Sequence, residues 1–165
     1  MAGGSTYQAI ATTTLGSSAT SYTFSSISGS YTDLVLITNV STVTGNQNMN
    51  IVLNGDTASN YSDTQLSGNG TSATSIRETN ATSLPIDNVA YPQANFNNIK
   101  IINFMNYSNT TTYKTVLVRS NNAATGVDAS VSMWRSTAAI TSIAVRSTGT
   151  FATGSTFTLY GIKAA

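Results

Sequence analysis

The sequence predicts an all-β protein, built as an antiparallel two-sheet sandwich with jelly-roll topology. Strong helix formers are scarce, because the 165 residues include one Glu, three Lys and four Met. Short runs that alternate apolar and polar residues recur along the chain, and Gly, Asn and Ser separate them. About two fifths of the residues are Ser, Thr or Asn, which favour strands or turns. A Greek-key barrel is the competing architecture.

Eleven segments are predicted to be strands, because each shows this alternation or an unbroken apolar run. So many short strands fill two packed sheets more readily than one. In chain order the predicted strands are Tyr7–Thr13, Ser21–Ile27, Asp33–Val40, Asn48–Leu53, Tyr61–Leu66, Thr74–Glu78, Asn98–Met105, Thr112–Arg119, Val127–Arg135, Ile140–Arg146 and Thr156–Ile162.

The alternation also assigns side chains to the faces of several strands. The run Leu34–Ile37 is apolar on both faces, which predicts a central strand. Residues that alternate along a strand share one face, and where they are apolar we expect them to be core positions. A late strand shows this pattern clearly, with one face made of Val127, Ala129, Val131 and Met133.

The chain is predicted to form one domain, residues 7–165. A chain of this length buries roughly 70% of its unfolded surface, so it needs no disulfides, and it contains no Cys. The opening residues Met1–Thr6 include two glycines and are predicted to be a flexible arm. Both prolines, Pro85 and Pro92, lie in Ser83–Asn97, which we predict to be a long connection between the halves of the domain.

The charge pattern argues against nucleic-acid and membrane partners. Charged residues make up 8% of the chain and its formal net charge is +1. A nucleic-acid-binding protein needs a basic patch that neutralises several phosphates, whereas the basic residues here are scattered singly. No run approaches the 18 or more apolar residues of a membrane helix. A weakly charged surface instead favours packing between subunits, because little desolvation is required.

The composition also argues against an enzyme, and we predict no catalytic residues and no cofactor. The absence of His and Cys removes the usual acid–base residue, the strongest nucleophile and the preferred zinc ligands. A glycosidase with paired carboxylates stays formally open. Its candidate acids are Asp33, Asp56, Asp63, Glu78, Asp87 and Asp128.

The stretch LNGDTASNYSD, residues 53–63, allows two interpretations. Asp56 and Asp63 could contribute to a calcium site, but they are seven residues apart and no Glu closes the loop. Asn54-Gly55 follows an alternating apolar run, and this pair tolerates positive φ at both turn centres. We therefore predict a tight turn of hairpin type, and no metal.

Four stretches carry a resemblance to a known family: Tyr22–Val40, Asn54–Gly70, Trp134–Val145 and Ser155–Ile162. Their order and spacing resemble a β-sandwich domain of tailed-phage virion proteins. That domain occurs in capsid decoration proteins and in tail-fibre or receptor-binding parts. The resemblance implies a structural, non-enzymatic protein, and the family shares no catalytic set that would carry over.

Of these roles, the sequence favours capsid decoration over a tail-fibre or receptor-binding tip. A tail fibre needs an adaptor and a repetitive or coiled-coil shaft, whereas here the strand pattern already begins near Tyr7. We therefore expect a cement protein that is made in the host cytoplasm and sits on the capsid surface. Its expected partners are the major capsid protein and further copies of itself, as a homotrimer. The alternative is recognition of a host glycan or protein.

Three aromatic residues are candidate contacts with partners: Tyr91, Tyr107 and Trp134. Interfaces favour Trp and Tyr, and these three lie outside the alternating core positions. Each also has an alternative interpretation inside the fold. Trp134 could belong to a second layer of the core, Tyr91 could pack within its loop, and Tyr107 could cap the core. For a glycan site, the candidate groups are Tyr61 with Asn60 and Asp63, and Tyr107 with Asn106.

Overall fold

In a computed structural model, residues 6–163 form twelve strands in two antiparallel sheets that pack face to face. The predicted arm Met1–Thr6 lies outside the described residues except for Thr6. The large sheet contains β1 (Tyr7–Thr14), β12 (Thr156–Ile162), β3 (Asp33–Val40), β8 (Asn98–Met105), β9 (Lys114–Asn122), β10 (Gly126–Trp134), β5 (Tyr61–Gly68) and β6 (Ala73–Ala81), in that spatial order. The small sheet contains β2 (Ala19–Phe24), β11 (Ile143–Phe151), β4 (Met49–Leu53) and β7 (Leu84–Pro85).

The strand order confirms the predicted sandwich and its jelly-roll topology. Strands β1-β12-β3-β8 of the large sheet face β2-β11-β4-β7 of the small one. Along the chain β1, β2, β3 and β4 alternate between the sheets, as do β8, β11 and β12. This is the interlocked arrangement of two Greek keys. Two hairpins, β5–β6 and β9–β10, add four further strands to the large sheet, and β5 and β10 contact β7 at the edge of the small sheet.

The hydrophobic core lies between the two four-stranded layers. Leu34 and Leu36 of β3 are fully buried, and Phe157 and Leu159 of the neighbouring β12 lie beside them. Val35 on the opposite face of β3 is 4% exposed, so this strand is apolar on both faces and central, as predicted. Rings from both sheets meet in the core, where Phe151 contacts Phe157 edge to face at 5.3 Å between ring centroids.

The eleven predicted strands all form, and three of them have the predicted bounds: β3, β8 and β12. The largest error is in β11, which continues to Phe151, five residues beyond the predicted end. The two-residue strand β7 was not predicted, because Pro85 interrupts any strand pattern. It forms at the edge of the small sheet, where a residue without an N–H is tolerated.

Two expectations about side-chain direction and connectivity are wrong. Val127, Val131 and Met133 are 56%, 58% and 37% exposed, so the apolar face of β10 points to solvent and not into the core. Asn54-Gly55 forms the expected turn, with φ of 51° and 70°. The turn does not close a hairpin, however, because β4 belongs to the small sheet and β5 to the large one.

Candidate functional site: the outer face of the extended large sheet

Four neighbouring strands of the large sheet expose a cluster of large apolar side chains on their outer face. Strands β8, β9, β10 and β5 are neighbours, and seven large apolar side chains on them are between 37% and 61% exposed. We call these residues the outer patch: Leu66, Ile99, Met105, Leu117, Val127, Val131 and Met133.

The register of the strands brings the members of the outer patch close together, although Thr115 of β9 separates Met105 from Met133. Val131 lies opposite Leu117 on β9, and Met133 follows it along the same face of β10. Ala129 lies between Leu66 of β5 and Arg119 of β9, and Arg119 is the one charged side chain pointing outward from these four strands. Around them lies a depression of about 550 Å³, lined mainly by apolar atoms. The outer patch therefore presents exposed apolar side chains around a depression, with one charged side chain among them.

The size of this face matters for what it can bind. Four strands of eight or nine residues, about 4.8 Å apart and rising about 3.3 Å per residue, span roughly 500 Å². The largest patch on an ordinary monomer is about 300–600 Å², and such patches are often functional. A standard interface buries about 800 Å² on each partner. The outer patch is thus large enough to mark an interface, but it does not fill a standard one by itself.

The inner face of β5 and β10 is largely polar, because a loop covers much of it in place of a second sheet. The connection after β7 carries backbone N–H groups with no strand to pair with, and Asp128 of β10 accepts them. Its Oδ2 accepts hydrogen bonds from the backbone N–H groups of Asn88, Val89 and Ala90 at 2.8, 3.0 and 2.9 Å. The side chain of Asn122 donates to the carbonyl oxygen of Tyr91 at 2.6 Å. Polar residues are therefore required inside, and the apolar residues of the alternation point outward.

A buried ion pair fixes the start of the same connection. The Nζ of Lys100 lies 3.0 Å from Oδ2 of Asp87, and both side chains are fully buried. Lys100 also donates to the carbonyl oxygen of Ala90 at 2.7 Å. Burial raises the pKa of Asp87 to about 6, although Lys100 and the N–H of Met49 act in the opposite direction. Burial likewise lowers the pKa of Lys100.

Two of the three candidate contact aromatics lie inside the fold. Tyr107 is fully buried, and its hydroxyl donates to the carbonyl oxygen of Ser28. Trp134 is 2% exposed and stacks on Tyr61 at 6.4 Å between ring centroids. Both side chains thus take the core positions that the sequence left open as alternatives. Tyr91 is half-buried in the connection that covers the inner face.

The loop that raised the question of calcium is held by protein hydrogen bonds. Asp56 accepts from the backbone N–H of Ala58, the side chain of Asn60 and the indole of Trp134. Burial acts to raise the pKa of Asp56, but these three hydrogen bonds outweigh it and lower the pKa. Asp63 lies on the inner face of β5 and takes no part in this network. The structure therefore does not bring the two carboxylates into one loop site.

Most of the groups considered for sugar binding and for acid catalysis have roles within the fold. Tyr61 and Tyr107 are fully buried, so neither ring is available for stacking on a sugar. Asp63 and Glu78 are direct cross-strand neighbours, whereas Asp56, Asp87 and Asp128 act as acceptors that hold the fold. Within residues 6–163, no group of three or more His, Cys, Asp or Glu side chains is placed to hold a metal.

No protein-family model and no curated protein sequence matches the chain.

In the described part of the chain, no helix is long and apolar enough to cross a membrane. We take the outer patch as the candidate interaction surface. The sequence contained one signal for it, because Asp128 and Trp134 share the face opposite Val127 and Val131.

Proposed function

We propose that this protein is a non-enzymatic component of a tailed-phage virion, and that it acts as a capsid decoration protein. The outer patch carries this proposal, because it is an exposed, nearly uncharged and rigid surface on four hydrogen-bonded strands. It suits docking against another protein surface. The partner is the major capsid protein.

Multiple copies follow from the size of the surface. A face of roughly 500 Å² gives less than one standard interface, so a single copy binds weakly. A homotrimer would present three such faces at high effective concentration, and avidity then exceeds the single-site affinity without any new contact. In this way weak contacts on several capsid subunits resist internal pressure together.

The roles of the carboxylates favour a structural protein over an enzyme. Asp56, Asp87 and Asp128 each accept several hydrogen bonds from loops that they anchor. With no His or Cys in the sequence, carboxylates are the leading candidates for any acid–base chemistry, and three of the six are engaged in this way.

The test is to add the purified protein back to filled heads that lack it. We expect wild-type protein to bind as a trimer, to appear on the capsid surface by electron microscopy, and to raise the temperature at which DNA is released. Val131→Lys and Leu66→Lys should abolish binding while the melting temperature of the free protein stays unchanged. Val43→Lys is the matched control, since Val43 is 52% exposed in the loop between β3 and β4.

Two results would overturn the proposal. One is an unchanged temperature of DNA release when decorated and undecorated heads are compared. The other is location of the protein on the tail, which would support the host-binding alternative instead.

A further inference from the structure

Four oxygen-bearing side chains form a square on the inner face of the large sheet. Asp63 of β5 is the cross-strand partner of Ser132 on β10, and Gln65 is the partner of Ser130. Neighbouring strands are about 4.8 Å apart and alternate residues about 6.8 Å apart, so the four side chains surround one small volume. This cluster is separate from the outer patch, which lies on the opposite face of the same strands.

All four side chains are buried, and their oxygen atoms have no hydrogen-bond partner among the described residues. Asp63, Gln65, Ser130 and Ser132 are 4%, 1%, 7% and 1% exposed. The atoms without a partner are Asp63 Oδ1 and Oδ2, Gln65 Oε1, Ser130 Oγ and Ser132 Oγ. The amide of Gln65 interacts with the carboxylate of Asp63, which leaves most of the acceptor capacity of the cluster unused. A single buried acceptor left unpaired costs about 1–3 kcal/mol, so the cluster favours a bound ion or water.

The charge at this site identifies the kind of ligand. Asp63 carries a carboxyl group, and Glu78 is its direct cross-strand partner on β6. Two acidic side chains therefore lie next to each other at this site. Two lysines of the large sheet are engaged elsewhere, since Lys100 pairs with Asp87 and Lys114 donates to the carbonyl oxygens of Thr112 and Thr137. Arg77 on β6 lies opposite Thr64, one residue along from the pair of Glu78 and Asp63. Water would satisfy hydrogen bonds but would leave the buried charge uncompensated.

The donor set distinguishes between cations. Carboxylate, amide and hydroxyl oxygens are hard ligands, and the site contains no nitrogen or sulfur donor that a transition metal would prefer. Calcium accepts 6–8 oxygen ligands in flexible geometry, whereas magnesium requires a near-ideal octahedron and retains its waters. We propose that the protein binds a calcium ion between β5 and β10, held by Asp63, Gln65, Ser130 and Ser132.

Bound calcium would fasten the hairpin extension, because it joins β5 to β10 from the inner side. The five unpaired oxygens would then be satisfied by one ion, and the sheet that displays the outer patch would be stiffened. This inference does not depend on the identity of any partner of the outer patch.

Terbium luminescence tests the site directly, because terbium replaces calcium and is excited through nearby aromatic rings. Trp134 is the single Trp of the chain, and its cross-strand partner is Tyr61. The pair of Ser132 and Asp63 lies two residues along the same strands, about 6.8 Å from the pair of Trp134 and Tyr61. We expect terbium emission on excitation of Trp134, loss of the emission when calcium is added, and a melting temperature that rises with calcium concentration. Sodium at equal ionic strength should give neither effect.

The variants separate binding from folding. Asp63→Asn should abolish both signals, whereas Asp33→Asn, a control on the distant strand β3, should retain them. Ser130→Ala with Ser132→Ala removes two unpaired hydroxyls, so the calcium-free protein should be as stable as wild type or more stable. The calcium affinity of this double variant should still fall by about tenfold or more. No calcium response in wild type, or a response that survives in Asp63→Asn or in the double variant, would refute the site.

Discussion

The indole Nε1 of Trp134 donates a 2.7 Å hydrogen bond to Oδ2 of Asp56. This bond joins the end of β10 to the loop between β4 and β5, and therefore connects the two sheets. The hydroxyl of Tyr61 strengthens the same junction, since it donates to the carbonyl oxygen of Asp56 at 2.8 Å. Burial raises the pKa of Tyr61 to about 12, so its hydroxyl remains a donor over the whole working range of pH.

The first prediction concerns the size of this junction's contribution. Asp56→Ala removes the acceptor of three hydrogen bonds, from Ala58, Asn60 and Trp134. We expect the free energy of unfolding to fall by about 2–3 kcal/mol, because the buried indole N–H is left unpaired. Urea denaturation measures the free energy of unfolding. Thr57→Ala in the same loop is the control and should change this free energy by less than about 0.5 kcal/mol. Equal effects of the two substitutions would mean that the junction contributes nothing specific.

The second prediction is the pH dependence of the same contact. Hydrogen bonds to the carboxylate hold the pKa of Asp56 below its usual value of 3.8 in the folded protein. A group with a lowered pKa stabilises the fold above its unfolded pKa, and this contribution is lost as the pH falls through the folded pKa. Wild-type protein should therefore lose stability below about pH 4 more steeply than Asp56→Asn. Thermal melts between pH 2 and pH 6 measure this, and parallel curves for the two proteins would contradict it.

The third prediction concerns the buried ion pair of Lys100 and Asp87. Lys100→Met leaves an uncompensated buried carboxylate, which we expect to cost about 3–5 kcal/mol in the free energy of unfolding. Replacing both partners, as Asp87→Leu with Lys100→Met, should cost less than the single change, because no charge remains buried. A double-mutant cycle in urea measures the coupling, with Arg146→Met as the exposed control. Additive effects of the two single substitutions would exclude coupling between the side chains.

The fourth prediction concerns the loop that covers the inner face. Asp128→Ala releases the backbone N–H groups of Asn88, Val89 and Ala90. We expect faster amide hydrogen exchange across residues 86–97, while exchange in β3 and β12 stays unchanged. Asp33→Ala is the matched control, because Asp33 accepts one loop N–H, from Asn106 at 2.6 Å. If residues 86–97 exchange equally in both variants, Asp128 does not anchor the loop.

The fifth prediction tests which face of the extended sheet is inside. Val131→Thr on the outer patch should change the free energy of unfolding by less than about 0.5 kcal/mol, since Val131 is 58% exposed. Val118→Thr makes the same chemical change at a side chain that is 2% exposed, and should cost about 1–3 kcal/mol. If Val131→Thr cost more than Val118→Thr, Val131 would be a core residue, as the sequence predicted.

The sequence by itself determined the strands and the fold class, because both depend on local patterns. Alternation with period two located β8 and β12 to the residue, and a run that is apolar on both faces located β3. Asn54-Gly55 marked a turn because these residues tolerate the positive φ that the backbone adopts there. Scarcity of helix formers and the number of strands then predicted a two-sheet sandwich.

Only the tertiary structure decided which face of a strand is inside, because alternation assigns residues to a common face without saying what covers it. The apolar side of β10 was expected in the core, yet the inner side is covered by a loop whose N–H groups need acceptors such as Asp128. Trp134 consequently lies inside and Val131 outside. The outer patch and the oxygen cluster at Asp63 exist because distant segments meet there, and apolar alternation alone does not contain that information.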